Sequence, residues 1–297
     1  MAKKKKDLDL ASSSHLNQIQ GSTNAIFNVI FVILALACII PVVFIFMISI
    51  SSEHSIKMNG YQFIPSAYSL DSYKFLLREG QMIVTALGVS VAVTVIGTVI
   101  GVALTMLMGY VLSRSTYKLN GFFTMVVFIP MIFNGGMIPT YLVMKNLGLT
   151  NNLLGVVLLP AINIYNLVLM RNFFEGIPQS LFEAATLDGC TPMATFIKVV
   201  LPLSKAALAS IGLMFAVAYW NDYTNYKLYI TDSSLYNFQM KLRSIMMGSD
   251  LPQANGGATE NTVKSAAIII AILPFMILYP FLQKYFVKGV NVGAVKG

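Results

Sequence analysis

The amino-acid sequence predicts an all-α membrane protein: six transmembrane helices, both termini cytoplasmic, and a cytoplasmic helix pair between spans four and five. Composition is the first reason. Of 297 residues, 56% are hydrophobic and only 11% charged, and the mean hydropathy is +0.72. A soluble domain carries about a quarter charged residues, so this chain has too little polar surface to coat a water-soluble particle. The second reason is that the apolar residues gather into runs near the roughly 20 residues that a bilayer core requires. The third is an asymmetry in where the basic residues fall between those runs.

Residues 1–24 form a polar tail that contains the cluster Lys3–Lys6. The apolar run Ala25–Ile50 is too long for the core of a secretory signal, and no small-x-small cleavage site follows it. It reads as an uncleaved first span. The second, Met82–Val111, has no charge in 30 residues. At about 1.5 Å per residue it exceeds the bilayer core and is expected to tilt or protrude. The third starts at Phe122, breaks at Asn134-Gly135-Gly136 and Pro139, and resumes towards Val143. Leu153–Met170, Leu203–Trp220 and Ala266–Phe286 follow, the last with Pro274 and Pro280 inside it. Residues 25–286 thus form the membrane domain, and 287–297 a cytoplasmic tail.

With the N-terminus inside, 12 of the 20 Lys and Arg residues fall on the inner side and 8 on the outer. This excess, with the Lys3–Lys6 cluster beside the first span, points to cytoplasmic termini. The net charge of +8 is accounted for in the same way. No Arg-rich patch or aromatic-interleaved basic face supports nucleic-acid binding.

Enzyme chemistry finds little support. Gly-Lys never occurs, which excludes a Walker A loop, and neither GxSxG nor HExxH is present. His15 and His54 lack metal-ligand spacing, and Cys38 and Cys190 fall in different predicted compartments. A secondary transporter would need ionisable groups within the membrane, and spans one to four have none at their centres.

Two outer loops, 51–81 and 221–265, are longer than a turn between spans needs. The first has the Ser, Tyr, Pro and Asp content of a folded or docked segment. In the second, Tyr223, Tyr226 and Tyr229 suit the headgroup level. The inner loop 175–202 is amphipathic and punctuated as two short helices. Pro178 suits the first turn of one helix, Gln179–Asp188 favours helix, and Gly189 suits the position just past its end. Thr191 can cap the next helix with Pro192 at its first position, and that helix ends near Leu201-Pro202. Leu181, Phe182, Ala185 and Phe196 offer apolar contacts, while Glu183 and Asp188 offer charge. From pattern alone the loop could equally be an interfacial amphipathic connector.

The residues themselves carry a resemblance. Glu183-Ala184-Ala185, three residues, Gly189, nine residues, then Val199-x-Leu201-Pro202 resembles the EAA loop of bacterial ABC importer permeases, with Val for Ile the only departure. Trp220-Asn221-Asp222 after span five and the tail Val287-Lys288-Gly289…Val295-Lys296-Gly297 look like the carbohydrate-uptake branch, specifically its six-span maltose-type subunit. Asn134-Gly135-Gly136-Met137-Ile138-Pro139-Thr140 is similar to the subgroup that imports complex oligosaccharides, including pectin- and alginate-derived ones.

The resemblance implies a bacterial inner-membrane, multi-pass permease for sugars. It implies a second, homologous permease subunit, two ATPase subunits, and an extracellular or periplasmic sugar-binding protein, with membrane lipid around the spans. ATP and Mg would be used by the ATPases, and this chain would bind no cofactor or metal. Glu183 would meet a basic residue of an ATPase, Ala184 and Ala185 would permit close approach, Gly189 would make the bend, and Leu201 and Pro202 would lead into span five. The C-terminal tail would reach between the ATPases, and loop 221–265 would face the binding protein. Candidate substrate-path residues are the polar groups Asn134, Asn163, Tyr165 and Asn166 within spans, and Trp220 and Asn221 at the outer end. Each Asn also suits plain interhelical hydrogen bonding. A permease for a non-sugar solute is the alternative, followed by a secondary transporter.

Overall fold

The first predicted span becomes a single helix, α1 (Gly21–Ser49), which runs unbroken through Pro41. The computed structural model describes residues 21–78, 81–114, 117–248 and 260–294. Lys3–Lys6 and residues 249–259 of the loop 221–265 lie outside them. The second predicted span is α4 (Gln81–Ser113), 33 residues long. The sixth is contained in α14 (Glu260–Ala294), which passes through both Pro274 and Pro280 and continues into the tail. These three helices are long and apolar enough to cross a membrane.

Of the remaining predicted spans, the third is interrupted where the sequence indicates, the fourth is broken where one helix is expected, and the fifth is one helix. The third is two helices, α5 (Asn120–Ile132) and α6 (Met137–Asn146), bent by 119° at the Asn134-Gly135-Gly136 break. The fourth splits into α7 (Leu153–Leu158) and α8 (Ile164–Glu175). Pro160 is the physical reason, since it has no N–H for the carbonyl four residues back, and Asn163 then caps a new helix by accepting from the Asn166 N–H at 3.0 Å. The fifth, α11 (Lys205–Trp220), meets the preceding segment α10 (Pro192–Leu203) at an angle of 81°.

The central packing is α4 against α8 and α11. Gly97 and Gly101 allow it. A Cβ on Gly97 would lie 2.4 Å from Tyr219 Cζ, and one on Gly101 would lie 2.8 Å from Phe215 Cε1. Tyr219 therefore crosses α4 closely enough for its hydroxyl to donate to the Val157 carbonyl at 2.7 Å. That carbonyl sits at the end of α7, where the break leaves helix acceptors without intrahelical donors. One side chain thus ties α11, α4 and α7 together.

The loop 51–81 is folded where it is described, as its composition suggests. Ser52 N–H donates to Ala67 O at 2.9 Å and Ser69 N–H to Ile50 O at 2.8 Å. The loop contains α2 (Glu53–Asn59) and α3 (Asp71–Arg78), and Leu76 of α3 is buried beside Ile83, Phe238 and Ala266. Ser69 Oγ and then Lys74 hold the Asp71 carboxyl below its ordinary pKa. The loop 221–265 contains α12 (Thr224–Tyr229) and α13 (Phe238–Met246). Asn237 fixes this region: its side chain accepts from Met240 N–H at 3.0 Å and donates to Asp222 O at 2.6 Å. Phe238 N–H donates to Ser90 Oγ on α4 at 2.8 Å. Tyr226 and Tyr229 are buried within the protein. They pack here against protein, and Tyr229 stacks on Tyr141 with ring centroids 5.9 Å apart.

Candidate functional site

The loop 175–202 folds as two helices with a tight turn. α9 spans Gln179–Leu187, and Pro178 sits just before it rather than in its first turn. Gly189 has φ +73°, a conformation costly for residues with a Cβ. Its N–H donates to Thr186 O at 3.0 Å, and Cys190 N–H donates to Ala185 O at 2.9 Å. This paired closure satisfies helix-end carbonyls. Thr191 then caps α10, accepting from Ala194 N–H at 3.2 Å, with Pro192 at the first helical position.

α10 widens at Phe196–Val200, where Leu201 N–H reaches Phe196 O five residues back. The proline at 202 supplies no N–H, so the widened turn leads into it without a lost bond. Ser204 is wholly buried, and its Oγ donates to Val200 O at 2.6 Å where the chain turns into α11. The helix pair is thereby joined to α8 at Gly176-Ile177 and to α11 at Ser204, with no slack connector at either end.

One face of the pair is held by the membrane helices. Phe182, Ala185, Phe196 and Val200 are buried. Arg114, just after α4, places its guanidinium carbon 3.8 Å from the centre of the Phe182 ring, within the range of a cation–π contact. Tyr110 of α4 packs on Phe196 at 5.0 Å and edge-on to Phe174 at 6.2 Å. Arg171 and Glu175 of α8 form an ion pair at 2.8 Å. The opposite face is open: Glu183 and Ala184 are exposed, as are Leu181, Met193 and Ile197, and Leu187 is 88% exposed.

The path candidates do not converge. Asn134 Oδ1 accepts from Gly136 N–H at 2.8 Å and so closes the bend between α5 and α6. Asn163 caps α8, with Tyr165 exposed beside it and Asn166 buried. No hydrogen bond links Asn134 to either Asn among the described residues. Trp220 lies between α11 and α14, donating from Nε1 to Ala271 O at 3.0 Å and meeting Phe275 edge-on. Asn221 is exposed, donates to Val217 O at 3.0 Å and accepts from Gln239 Nε2 at 3.3 Å. Asp222 is largely buried, and that burial raises its pKa against the lowering effect of Asn225. No group of His, Cys, Asp and Glu suited to hold a metal occurs among the described residues.

Residues 20–292 match the family described as binding-protein-dependent transport system inner membrane component. The chain belongs to this family. The resemblance read from residues 183–202 is therefore borne out at the level of the family, as is a bacterial inner-membrane location. The family is one of membrane transport subunits, not of enzymes. The chain is 40% identical over 270 residues to the polygalacturonan/rhamnogalacturonan transport system permease protein YtcP of Bacillus subtilis (strain 168), covering 89% of this chain and 94% of that one. It is 39% identical over 265 residues to protein LplC of the same strain, with 87% and 90% covered. Among solved structures, a bacterial ABC transporter involved in import of the acidic polysaccharide alginate contains a similar chain. The TM-score is 0.83 at 30% identity, covering 91% of this chain and 100% of that one.

Two features were not read from the sequence. The Gly97–Tyr219 contact had a visible signal, the Gly97-x-x-x-Gly101 spacing of close helix packing in membranes. The pairing of Tyr223 with Arg243, whose guanidinium carbon lies 5.0 Å from the ring centre, had none. Those residues are twenty positions apart in a loop without periodicity.

Proposed function

We propose that this permease is the transmembrane subunit of an ABC importer for oligosaccharides, acidic ones among them, and that α9 and α10 receive the motion of the ATPases. The observation that carries the coupling role is the two-sided helix pair. Its inner face is packed on α4 and α8, and its outer face presents Glu183, Ala184 and bare Leu187. An exposed apolar patch of this kind on a well-capped element is suited to a protein partner. The cargo class is supported by YtcP, whose name specifies polygalacturonan and rhamnogalacturonan, and by the importer described as taking the acidic polysaccharide alginate.

On this reading the six-span layout holds, with both termini cytoplasmic, the third span bent and the fourth broken. Irregular backbone at membrane depth is tolerated where it is buried in protein or lines a cavity, so the two breaks are where a path would open. Asn134, Asn163, Tyr165 and Asn166 stand at or beside those breaks and are the path candidates. Trp220 and Asn221 mark the outer end. A second permease subunit, two ATPases that use ATP and Mg, and an external sugar-binding protein complete the importer. Closure of the ATPases would push on the outer face of α9 and, through Gly176 and Ser204, bias α8 and α11 between two arrangements.

The test is transport by variants of the pair. Glu183→Lys reverses the charge on the exposed face, and Gly189→Pro is incompatible with φ +73°. Both are expected to abolish uptake by the complete importer while the chain still inserts in the membrane. Normal uptake by both would reject the coupling assignment.

A further inference from the structure

At the Trp220 end of α11, two adjoining clefts lie along α13, both bounded by Tyr223 and one of them also by Lys227 of α12. Their volumes are about 310 Å³ and 230 Å³, and they share Tyr223, Arg243 and Met247. A helix of 16 residues separates this place from the helix pair by about 24 Å. On the oligosaccharide reading above, on which this inference rests, the groove is at the outer mouth.

Its lining is chemically one-sided. Lys227, Lys241 and Arg243 contribute three basic residues, and no Asp or Glu lines either cleft among the described residues. Each of two cations lies over an aromatic ring: Arg243 at 5.0 Å from the Tyr223 centroid, and Lys241 Nζ at 5.6 Å from that of Tyr236. Lys241 is buried, whereas Arg243 and Lys227 are exposed. A guanidinium lying against a ring is held in place before anything binds, so less rotamer freedom is lost on contact.

This combination matches a particular ligand. A uronate ring carries a carboxylate on a pyranose whose C–H faces are apolar. The carboxylate takes two parallel N–H donors from one guanidinium, a match a lysine cannot reproduce. The tyrosine rings and Met247 provide flat apolar surface for the sugar faces, and Lys227 adds positive field at the rim. A neutral sugar would leave the paired donors of Arg243 without a carboxylate to match.

We infer that the groove between Tyr223 and Arg243 is an entry subsite for the carboxylate of an acidic oligosaccharide. Arg243 reads the charge and Tyr223 positions it.

The experiment uses the assembled importer in nanodiscs of zwitterionic lipid, so that anionic headgroups cannot occupy the groove. Binding of trigalacturonate is compared by calorimetry with that of its methyl ester, which has the same skeleton without charge. The wild-type complex is expected to bind the acid at least about tenfold more tightly. Arg243→Gln is expected to remove that preference and leave the ester unchanged. Arg243→Lys should keep part of the preference, because charge remains and the paired geometry is lost. Recovery of the assembled complex by size exclusion reports folding, and Arg243→Lys carries the test if Arg243→Gln fails to assemble. Equal wild-type binding of acid and ester would overturn both the groove and the acidic cargo. A wild-type preference that persists in both variants would overturn the groove alone. Variants that keep the preference but lose docking of the external binding protein would also overturn it, and would reassign the groove to that partner.

Discussion

α4 and α5 are about equally apolar stretches of one chain, and they are used in opposite ways. α4 buries a stripe that includes Ala86, Ser90, Val93, Gly97, Gly101 and Thr105, spaced three and four apart, against α8, α11 and α13. α5 buries no residue at all, and Phe122, Met125, Val126 and Met131 are exposed along it. α1 is similar to α5, its most apolar stretch being uncovered by the rest of the chain. The difference lies in the small residues. Lipid tails are as apolar as leucine, so burying leucine against another helix gains little in a membrane. Helices associate where small residues let backbones and rings come close. The α4 stripe marks where this chain packs on itself, and the bare flanks of α1 and α5 mark where it meets lipid or another subunit.

The sharpest way to break this comparison is to fill the stripe. Gly97→Leu would place a side chain where the Tyr219 ring lies, and no rearrangement of a ring hydrogen-bonded to Val157 accommodates it. The expected result is loss of folded protein in detergent extracts, whereas Gly121→Leu on α5, with nothing within 4 Å of its Cβ, is recovered normally. Gly101→Ala is milder, since one methyl group meets Phe215 at 2.8 Å. Overpacking of this kind costs about 1–3 kcal/mol, read as a lowered thermal midpoint of the purified chain. Tyr219→Phe keeps the ring and deletes only the bond to Val157 O. It should cost about 1 kcal/mol for the bond itself, and up to about 3 if the carbonyl is left buried and unpaired. Phe122→Ala on α5 should change the midpoint by less than about 0.5 kcal/mol equivalent. A large effect there would show that α5 is packed after all.

The helix pair 179–203 was legible in unusual detail because its signals are local. Gly189 sits where only a positive φ closes the turn, Thr191 and Pro192 start the next helix, and each works through neighbours a few residues away. The folding of loop 51–81 was legible for the same reason. The bend of α5 against α6 and the splitting of the fourth span were only half legible. Asn134-Gly135-Gly136 and Pro160 were visible as irregularities, but the 119° angle depends on what the two halves pack against. Asn163 is a further example. In the sequence it is a polar group inside an apolar run, and in the fold it is the cap that restarts a helix, accepting from Asn166 N–H. The stacking of Tyr229 on Tyr141 was not legible, because composition does not reveal a partner so far away in the chain.

By itself the sequence determined that this is a helical membrane protein, where its apolar runs lie, and that it resembles a family of membrane transport subunits. Those properties follow from hydropathy and short-range backbone chemistry, which act through residues adjacent in the chain. Tertiary structure alone decided that Tyr219 spans three elements over Gly97, that Trp220 is locked to α14, and that Tyr223 and Arg243 share one groove. Each joins positions far apart in the sequence, and in a membrane such pairings depend on close fit between surfaces rather than on the hydrophobicity of either partner.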